Sequence, residues 1–531
     1  MREQPKRIYF GGTILTMEQD HRADYLVCEK GRILSVGHGK PPEPADAETI
    51  DLKGNTLLPS FIDSHSHIFS YGLSFLQLSL KSAKNFQDIL LLLEAYIAKK
   101  KPEEGSWIHA KDYDPDLLQE KSHITASLLD SVTPRNPVVI HHKSGHMGIF
   151  NSKALEAFHI TGETPSMAGG HIRIDNGKPT GYLEEADFLS RIKNLPLGTE
   201  EDQVNAMKKA QEIYASYGIT TAQEGLLLRE YLPLYRQMLE KNLLFLDVAA
   251  YASPAEYHFF SDQLPQCRGT YWHNLKLDGI KIFLDGSPQG KTAWMKTPYK
   301  TGKKRKYCGY PSMTDQEIID AILLAEKWNM QILAHCNGDM AVEEYLRCLK
   351  SIWSRKKYFS RHPVIIHAQF LTPSQLPLVR ELEVIPSYFN SHVYYWGDVH
   401  IKNFGLSRAS QISPAASTAA FSIPFTFHRD TPVLEPDMME TLWCACRRQT
   451  KSGITLGDNE ILRPETALKA LTRYGAVQYG ELSEKGSLLP GKKENLVILS
   501  ADPLKVPVDS IPQIQIVQTI KEGRTIYRQK I

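Results

Sequence analysis

Leu57-Leu58-Pro59-Ser60-Phe61-Ile62-Asp63-Ser64-His65-Ser66-His67 decides how this chain is read. The run from Leu57 to Asp63 has the length of one buried strand. It leads directly into two histidines spaced i, i+2. In an extended backbone, residues two apart point to the same side. Two imidazoles then face one point, which is what a metal ion requires. A lone His-x-His pair also fits a solvated strand, so the signals downstream decide between the two.

The chain has 531 residues, too many for one ordinary core, so a large catalytic domain and at least one smaller domain are expected. Lys plus Arg is 62 and Asp plus Glu is 60, a net charge of +2. That balance argues against a nucleic-acid or anionic-membrane partner. The basic runs Lys99-Lys100-Lys101 and Lys303-Lys304-Arg305-Lys306 read as a helix end and a solvated loop. Seven scattered cysteines form no CxxC pair and no disulfide framework. They fit a reducing, cytoplasmic setting. The residues after Met1 lack an apolar core of signal-peptide length, and Ile89–Leu93 is far short of a membrane span.

Both ends of the chain read as short strands between glycine turns. Ile8-Tyr9-Phe10, Thr13-Ile14-Leu15-Thr16, Tyr25-Leu26-Val27-Cys28 and Ile33-Leu34-Ser35-Val36 lie at one end; Asn495–Leu499, Ile514–Ile520 and Thr525-Ile526-Tyr527 lie at the other. This pattern predicts a small β-sandwich built from residues 1–58 and, with a last helix, 464–531. Between them helical and apolar strand patterns alternate. Strands end at Asp63, Glu224, Tyr251, Phe283, His335, His367, Ser387 and Asp430, with helices such as Asp315–Trp328 and Met340–Trp353 between several of them. Eight such units predict an α/β fold, a (β/α)8 TIM-type barrel over 59–463. The first two strands lie too far apart for one loop, so about 73–205 is expected to be an inserted subdomain.

Barrel chemistry gathers at the C-terminal ends of the strands. That rule brings His65 and His67, Lys281, His335, His367 and Asp430 to one mouth. Each has an ordinary reading: a core histidine, a strand-edge lysine, a turn aspartate before Thr431-Pro432. Together the ordinary readings require several coincidences on one face of one fold. Asn151 or Ser152 reads as the cap of a helix over 153–158. Cys336 reads as a small buried residue rather than a nucleophile, and Asp285 as a residue that orients Lys281 or closes a turn.

With these motifs in order, the chain resembles the amidohydrolase superfamily, and within it the YtcJ-like branch, amidohydrolase family 3. The resemblance runs from Gly12-Thr13-Ile14-Leu15-Thr16 through Leu58–His67, Gly145-His146, Asn151–Leu155, Gly181–Ala186, Lys281–Ser287, His335–Asp339, His367-Ala368-Gln369 and Asp430–Val433 to Gly486–Leu499 and Glu522–Tyr527. It implies a metal-dependent hydrolase of a C–N bond other than a peptide bond, acting on a small amide such as an N-substituted formamide. His65 and His67 would hold one divalent ion and His335 and His367 a second. Lys281, carboxylated, would bridge them, with zinc the default metal and a single ion the alternative. Asp430 would be both ligand and general base and acid. His146, Glu185 and Trp396 would face the substrate. Enzymes of this type are often homodimers. Three departures stand out: Ser60 replaces a usual glycine, His428-Arg429 precede Asp430 where smaller residues are common, and Lys493-Glu494-Asn495 replaces a typical Ala-Asp pair before the last strand. Two competing readings are a one-metal deaminase of a heterocycle on the same barrel and an inactive barrel kept as a binding module.

Overall fold

The computed structural model describes residues 6–530 except 43–45, 144, 194, 302–305 and 357–358. Ser144 and most of the basic run at 303–306 therefore lie outside the described residues. The chain divides into two compact units, one formed by 1–68 with 210–531 and one by 69–209.

The first unit is built on an eight-stranded parallel sheet in an α/β arrangement. Its strands are β1 (Phe61–Ile62), β2 (Ile219–Glu224), β3 (Asp247–Ala252), β4 (Leu275–Phe283), β5 (Gln331–Cys336), β6 (Val364–His367), β7 (Ile385–Tyr388) and β8 (Thr426–Phe427), paired in chain order. Most are buried along their whole length, as parallel strands covered on both faces must be. The register decides which residues lie level at the strand ends. Lys281 pairs with Leu333, His335 with Ile366, and Cys336 with His367. Helices return the chain between strands; Asp315–Lys327 is the clearest. Thr314 and Glu317 close its first turn with a reciprocal capping box, and Ile318, Ala321, Ile322 and Ala325 form its buried stripe.

The opening stretch folds differently from the single strand that its apolar run suggests. Thr56–Pro59 pairs antiparallel with Leu496–Leu499, Val497 opposite Leu58, while Phe61–Ile62 begins the parallel sheet. Pro59 has no N–H to continue a ladder. The chain changes sheets at Ser60, whose N–H donates to the Asn495 carbonyl while Phe61 N–H donates to Gly218. Ser60 Oγ is 2.6 Å from Thr220 Oγ1, so this position carries a polar contact between the sheets.

Residues near the two ends share that six-stranded sheet, and a second, four-stranded sheet forms from Lys6–Phe10, Tyr25–Glu29, Arg32–Gly37 and Ala47–Asp51. Tyr9, Ile14, Leu26, Leu57, Leu496, Ile498 and Ile520 make one apolar core from both sheets. The Glu494 carboxylate is buried in it, accepting from Tyr9 Oη–H at 2.7 Å and pairing with Arg7 at 3.1 Å.

The unit 69–209 has its own six-stranded mixed sheet and two apolar cores, one around Ile89, Leu93, Ile108 and Ile140 and one around Val139, Phe150, Leu183 and Phe188. Asn151 is the cap of the helix Ser152–Ala157, accepting from Ala154 N–H at 3.0 Å. Among the described residues no helix is long and apolar enough to cross a membrane. All seven cysteines are free.

Candidate metal centre

His65 and His67 do not ride on an extended strand. Asp63 N–H still donates to the Thr221 carbonyl at 2.9 Å; the chain then bends through Ser64 and His65, and His67 N–H donates to the Thr431 carbonyl at 2.8 Å. The two rings still face one region, with centroids 5.3 Å apart at 74°. Asp430 lies just past β8, in a turn, and completes the group. Its Oδ1 is 3.5 Å from His65 Nε2 and 3.7 Å from His67 Nε2. Lys281 Nζ lies 3.4 Å from His65 Nε2. His367 and His335 adjoin, the former 5.7 Å from the His65 ring and 4.6 Å from the His335 ring.

The donor chemistry fits a divalent cation. His65, His67 and Asp430 offer ligand atoms within 4.8 Å of one another. His335 Nδ1 is buried with no hydrogen-bond partner among the described residues, although Asp285 Oδ1 is 3.3 Å away. An orphaned buried imidazole nitrogen of this kind is what a ligand atom looks like without its ion. Burial, aided by neighbouring cations, holds His65 and His367 well below the ordinary histidine range, so both keep free lone pairs. Burial would lower His67 as well, but Glu224 and Asp430 outweigh it and raise it. Lys281 is pushed down to about 7 by burial, against the pull of Asp430. Burial raises the Asp430 carboxyl, opposed by His67, Lys281 and His335.

The surrounding residues hold this group in place. Gln223 Oε1 accepts from His65 Nδ1–H at 2.6 Å, while Gln223 Nε2 donates to the Ser64 carbonyl and to Tyr479 Oη. The amide is thereby oriented, and only Nε2 of His65 is left to ligate. Gly225 follows β2 because a Cβ there would lie 2.7 Å from His65 Cε1 and 3.1 Å from His67 Cε1. Asp285 does not orient Lys281; it accepts from the N–H groups of Asn337, Gly338 and Trp294 and flanks His335. His367, Ala368 and Asp430 hold positive φ angles of 74°, 49° and 52°, conformations that non-glycine residues adopt mostly where the surroundings force them.

His428 and Arg429 separate in role. The His428 ring is buried 5.1 Å from that of His367, whereas Arg429 turns to Glu440, at 2.5 Å, and to the Glu435 carbonyl. Cys336 is buried, and burial raises its thiol well above the ordinary range, a structural and not a nucleophilic setting. Trp396 packs on His392 and Phe389, and Phe389 in turn touches His367 and His428. His146 and Glu185 belong to the unit 69–209, where their exposed side chains meet at 3.2 Å. Gln223 and Gly225 carry no local sequence signal, since a glutamine and a glycine at a strand end are common for many reasons.

The Amidohydrolase family model matches residues 48–527. The chain is 25% identical to the putative amidohydrolase YtcJ of Bacillus subtilis (strain 168), covering 98% of this chain and 99% of that one. It is 24% identical to the N-substituted formamide deformylase of Arthrobacter pascens over 94% of each chain. Its fold resembles that of an uncharacterized metal-dependent hydrolase from Pyrococcus horikoshii OT3, with a TM-score of 0.78, 24% identity and coverage of 95% and 99%. A match over nearly the whole length, on a chain whose strand-end histidines, lysine and aspartate converge as described, places this protein in the amidohydrolase family.

Proposed function

We propose that this protein hydrolyses a C–N bond other than a peptide bond, with an N-substituted formamide or related small amide as substrate. The observation that carries the reading is the approach of His65 Nε2, His67 Nε2, Asp430 Oδ1 and Lys281 Nζ to one point. The Arthrobacter pascens relative supports the substrate class. In this reading the parallel sheet closes as a (β/α)8 barrel, supported by the 3.0 Å bond from Ser64 Oγ, past β1, to the Phe427 carbonyl of β8. The two terminal sheets form a small sandwich around their common core.

His65, His67 and Asp430 would hold one zinc ion, and His335 with His367 a second. Lys281 would bridge them as a carbamate. The compact three-residue set alone supports one ion; the second rests on the orphaned His335 nitrogen and on Lys281. An amine held near neutrality is partly uncharged at pH 7. Its Nζ lone pair attacks carbon dioxide, a C–N bond forms, one N–H proton leaves to solvent, and an anionic two-oxygen group replaces the uncharged amine. When bound, the metal supplies acidification of water and polarisation of a carbonyl. Asp430 takes a proton from the attacking water and delivers it to the amide nitrogen as the C–N bond breaks, so the products are a carboxylic acid and an amine. Without that proton the amine is a poor leaving group. Trp396 is proposed to contact substrate.

Metal analysis combined with a panel of formyl, acetyl and cyclic amides tests the reading. Two ions per chain and turnover of one amide class are expected. One ion with turnover of an amino-heterocycle would replace the reading with the deaminase. Purified protein that takes up no divalent cation would overturn both.

A further inference from the structure

Three buried side chains form a single file behind His367. Ser64 Oγ lies 3.0 Å from the Phe427 carbonyl and 3.1 Å from Ser387 Oγ. Ser387 Oγ lies 2.9 Å from His428 Nδ1, and His428 Nε2 lies 3.2 Å from His367 Nδ1. Ser64, Ser387 and His428 are fully buried, and His367 is 5% exposed. Among the described residues these side chains make no other hydrogen bonds.

A carbonyl oxygen only accepts. The single Ser64 hydroxyl proton therefore goes to Phe427. Ser64 Oγ must accept in its other contact, so the Ser387 hydroxyl donates to it. Ser387 Oγ has then spent its proton and must accept from His428 Nδ1–H. A buried imidazole whose two nitrogens meet only neutral groups is itself neutral. His428 Nε2 is thus a bare lone pair, and it must accept from His367 Nδ1–H. This assignment alone puts one proton in each of the four contacts. It leaves His367 Nε2 without a proton.

We infer that His428 is a positioning residue that, through the Ser64–Ser387 hydroxyl pair, locks His367 in the tautomer whose Nε2 can bind a divalent metal. The inference rests on the proposed metal-dependent function for its purpose, but the proton assignment itself holds for the metal-free protein. Gln223 does the same for His65 with a side-chain amide. The two ligands are therefore oriented from opposite ends of the strand order by unrelated groups, and each is made a better donor by the partner that accepts its other proton.

Nitrogen-15 histidine-labelled, metal-free protein near neutral pH tests the assignment by long-range nitrogen–proton correlation. His367 and His428 should each be protonated on Nδ1 and bare on Nε2. A proton on His367 Nε2 would overturn the inference. In the second arm, zinc affinity is measured by chelator competition on the full chain. His428→Phe removes the acceptor and should weaken binding about 10–100-fold. His428→Gln supplies an amide oxygen as acceptor and should bind at least several-fold more tightly than the Phe variant. Folded His428→Phe with wild-type affinity would sink the inference. Should that variant not fold, Ser387→Ala removes only a hydroxyl: a mixed His367 tautomer supports the relay, and an unchanged one counts against it. Wild-type protein that shows the expected tautomers but takes up no cation would remove the proposed function and leave the assignment standing.

Discussion

Gln223 Oε1 stands 2.6 Å from Nδ1 of His65, and the amide is fixed in that sense because its nitrogen already donates to the Ser64 carbonyl and to Tyr479. Gln223→Leu keeps the size and apolar fit but removes the acceptor. Zinc affinity should fall about 10–100-fold, as for other partners of metal-bound histidines. Chelator competition measures it; an unchanged affinity would show that His65 needs no such support.

Asp430→Asn keeps an oxygen beside His65 and His67 but cannot shuttle a proton. Metal content should persist while kcat falls by about 10²–10⁴. Elemental analysis and a steady-state assay on the best amide decide it. Near-wild-type turnover would take Asp430 out of the proton-transfer role.

Lys281→Ala should reduce the metal content from two ions to one and abolish turnover, and added acetate or propionate should restore part of both by filling the bridging position. Carbon-13-labelled bicarbonate should give a carbamate resonance in the wild type that the variant lacks. Two ions bound to the variant would rule out the bridge.

Gly225→Ala places a methyl group 2.7 Å from His65 Cε1. Overpacking of this kind costs about 1–3 kcal/mol. The expected result is a lower unfolding midpoint together with weaker zinc binding. A variant of unchanged stability and affinity would mean that the histidine loop yields freely.

At the start of β3, Lys485 Nζ is buried at 2.7 Å from Asp247 and 2.8 Å from Glu481, and Lys521 also pairs with Asp247 at 2.8 Å. Burial favours the protonated form of Asp247, but Lys485 and Lys521 outweigh it and hold the carboxyl well below its ordinary range. A carboxylate depressed on folding stabilises the protein fully above the unfolded pKa of about 3.9, and that stability is lost as pH falls from there toward the folded value. Thermal unfolding should therefore show a steep loss below about pH 4 that Asp247→Asn flattens. Lys485→Met takes one buried cation from Asp247, which keeps Lys521, and from Glu481, which keeps Lys276, and should cost about 1–3 kcal/mol near neutral pH; no loss would mean that water reaches the cluster.

Much of this protein is legible in its sequence because burial imposes a pattern on short stretches. Val364-Ile365-Ile366-His367, short, apolar and β-branched, reads as a strand buried on both faces that ends on a polar group, and it is one. The helix after Thr314 announces itself through its cap and its apolar spacing. Pro59 is the instructive exception: the run around it looks continuous, yet two sheets share it, because the partners of its backbone groups lie in Leu496–Leu499 and beyond Gly218.

The sequence by itself determined the alternation of strand and helix, the family, and the order of the histidines, lysine and aspartate along the chain. Only the tertiary structure decided what supports them: that Gln223 meets His65 across 158 positions, that Ser64 reaches Phe427 across 363, and that His428 backs His367 while its neighbour Arg429 turns to Glu440. The reason is physical. A hydrophobic period is written within one strand and survives in isolation. A hydrogen bond between strands depends on register and on the direction each side chain takes, and these exist only once the sheet has formed.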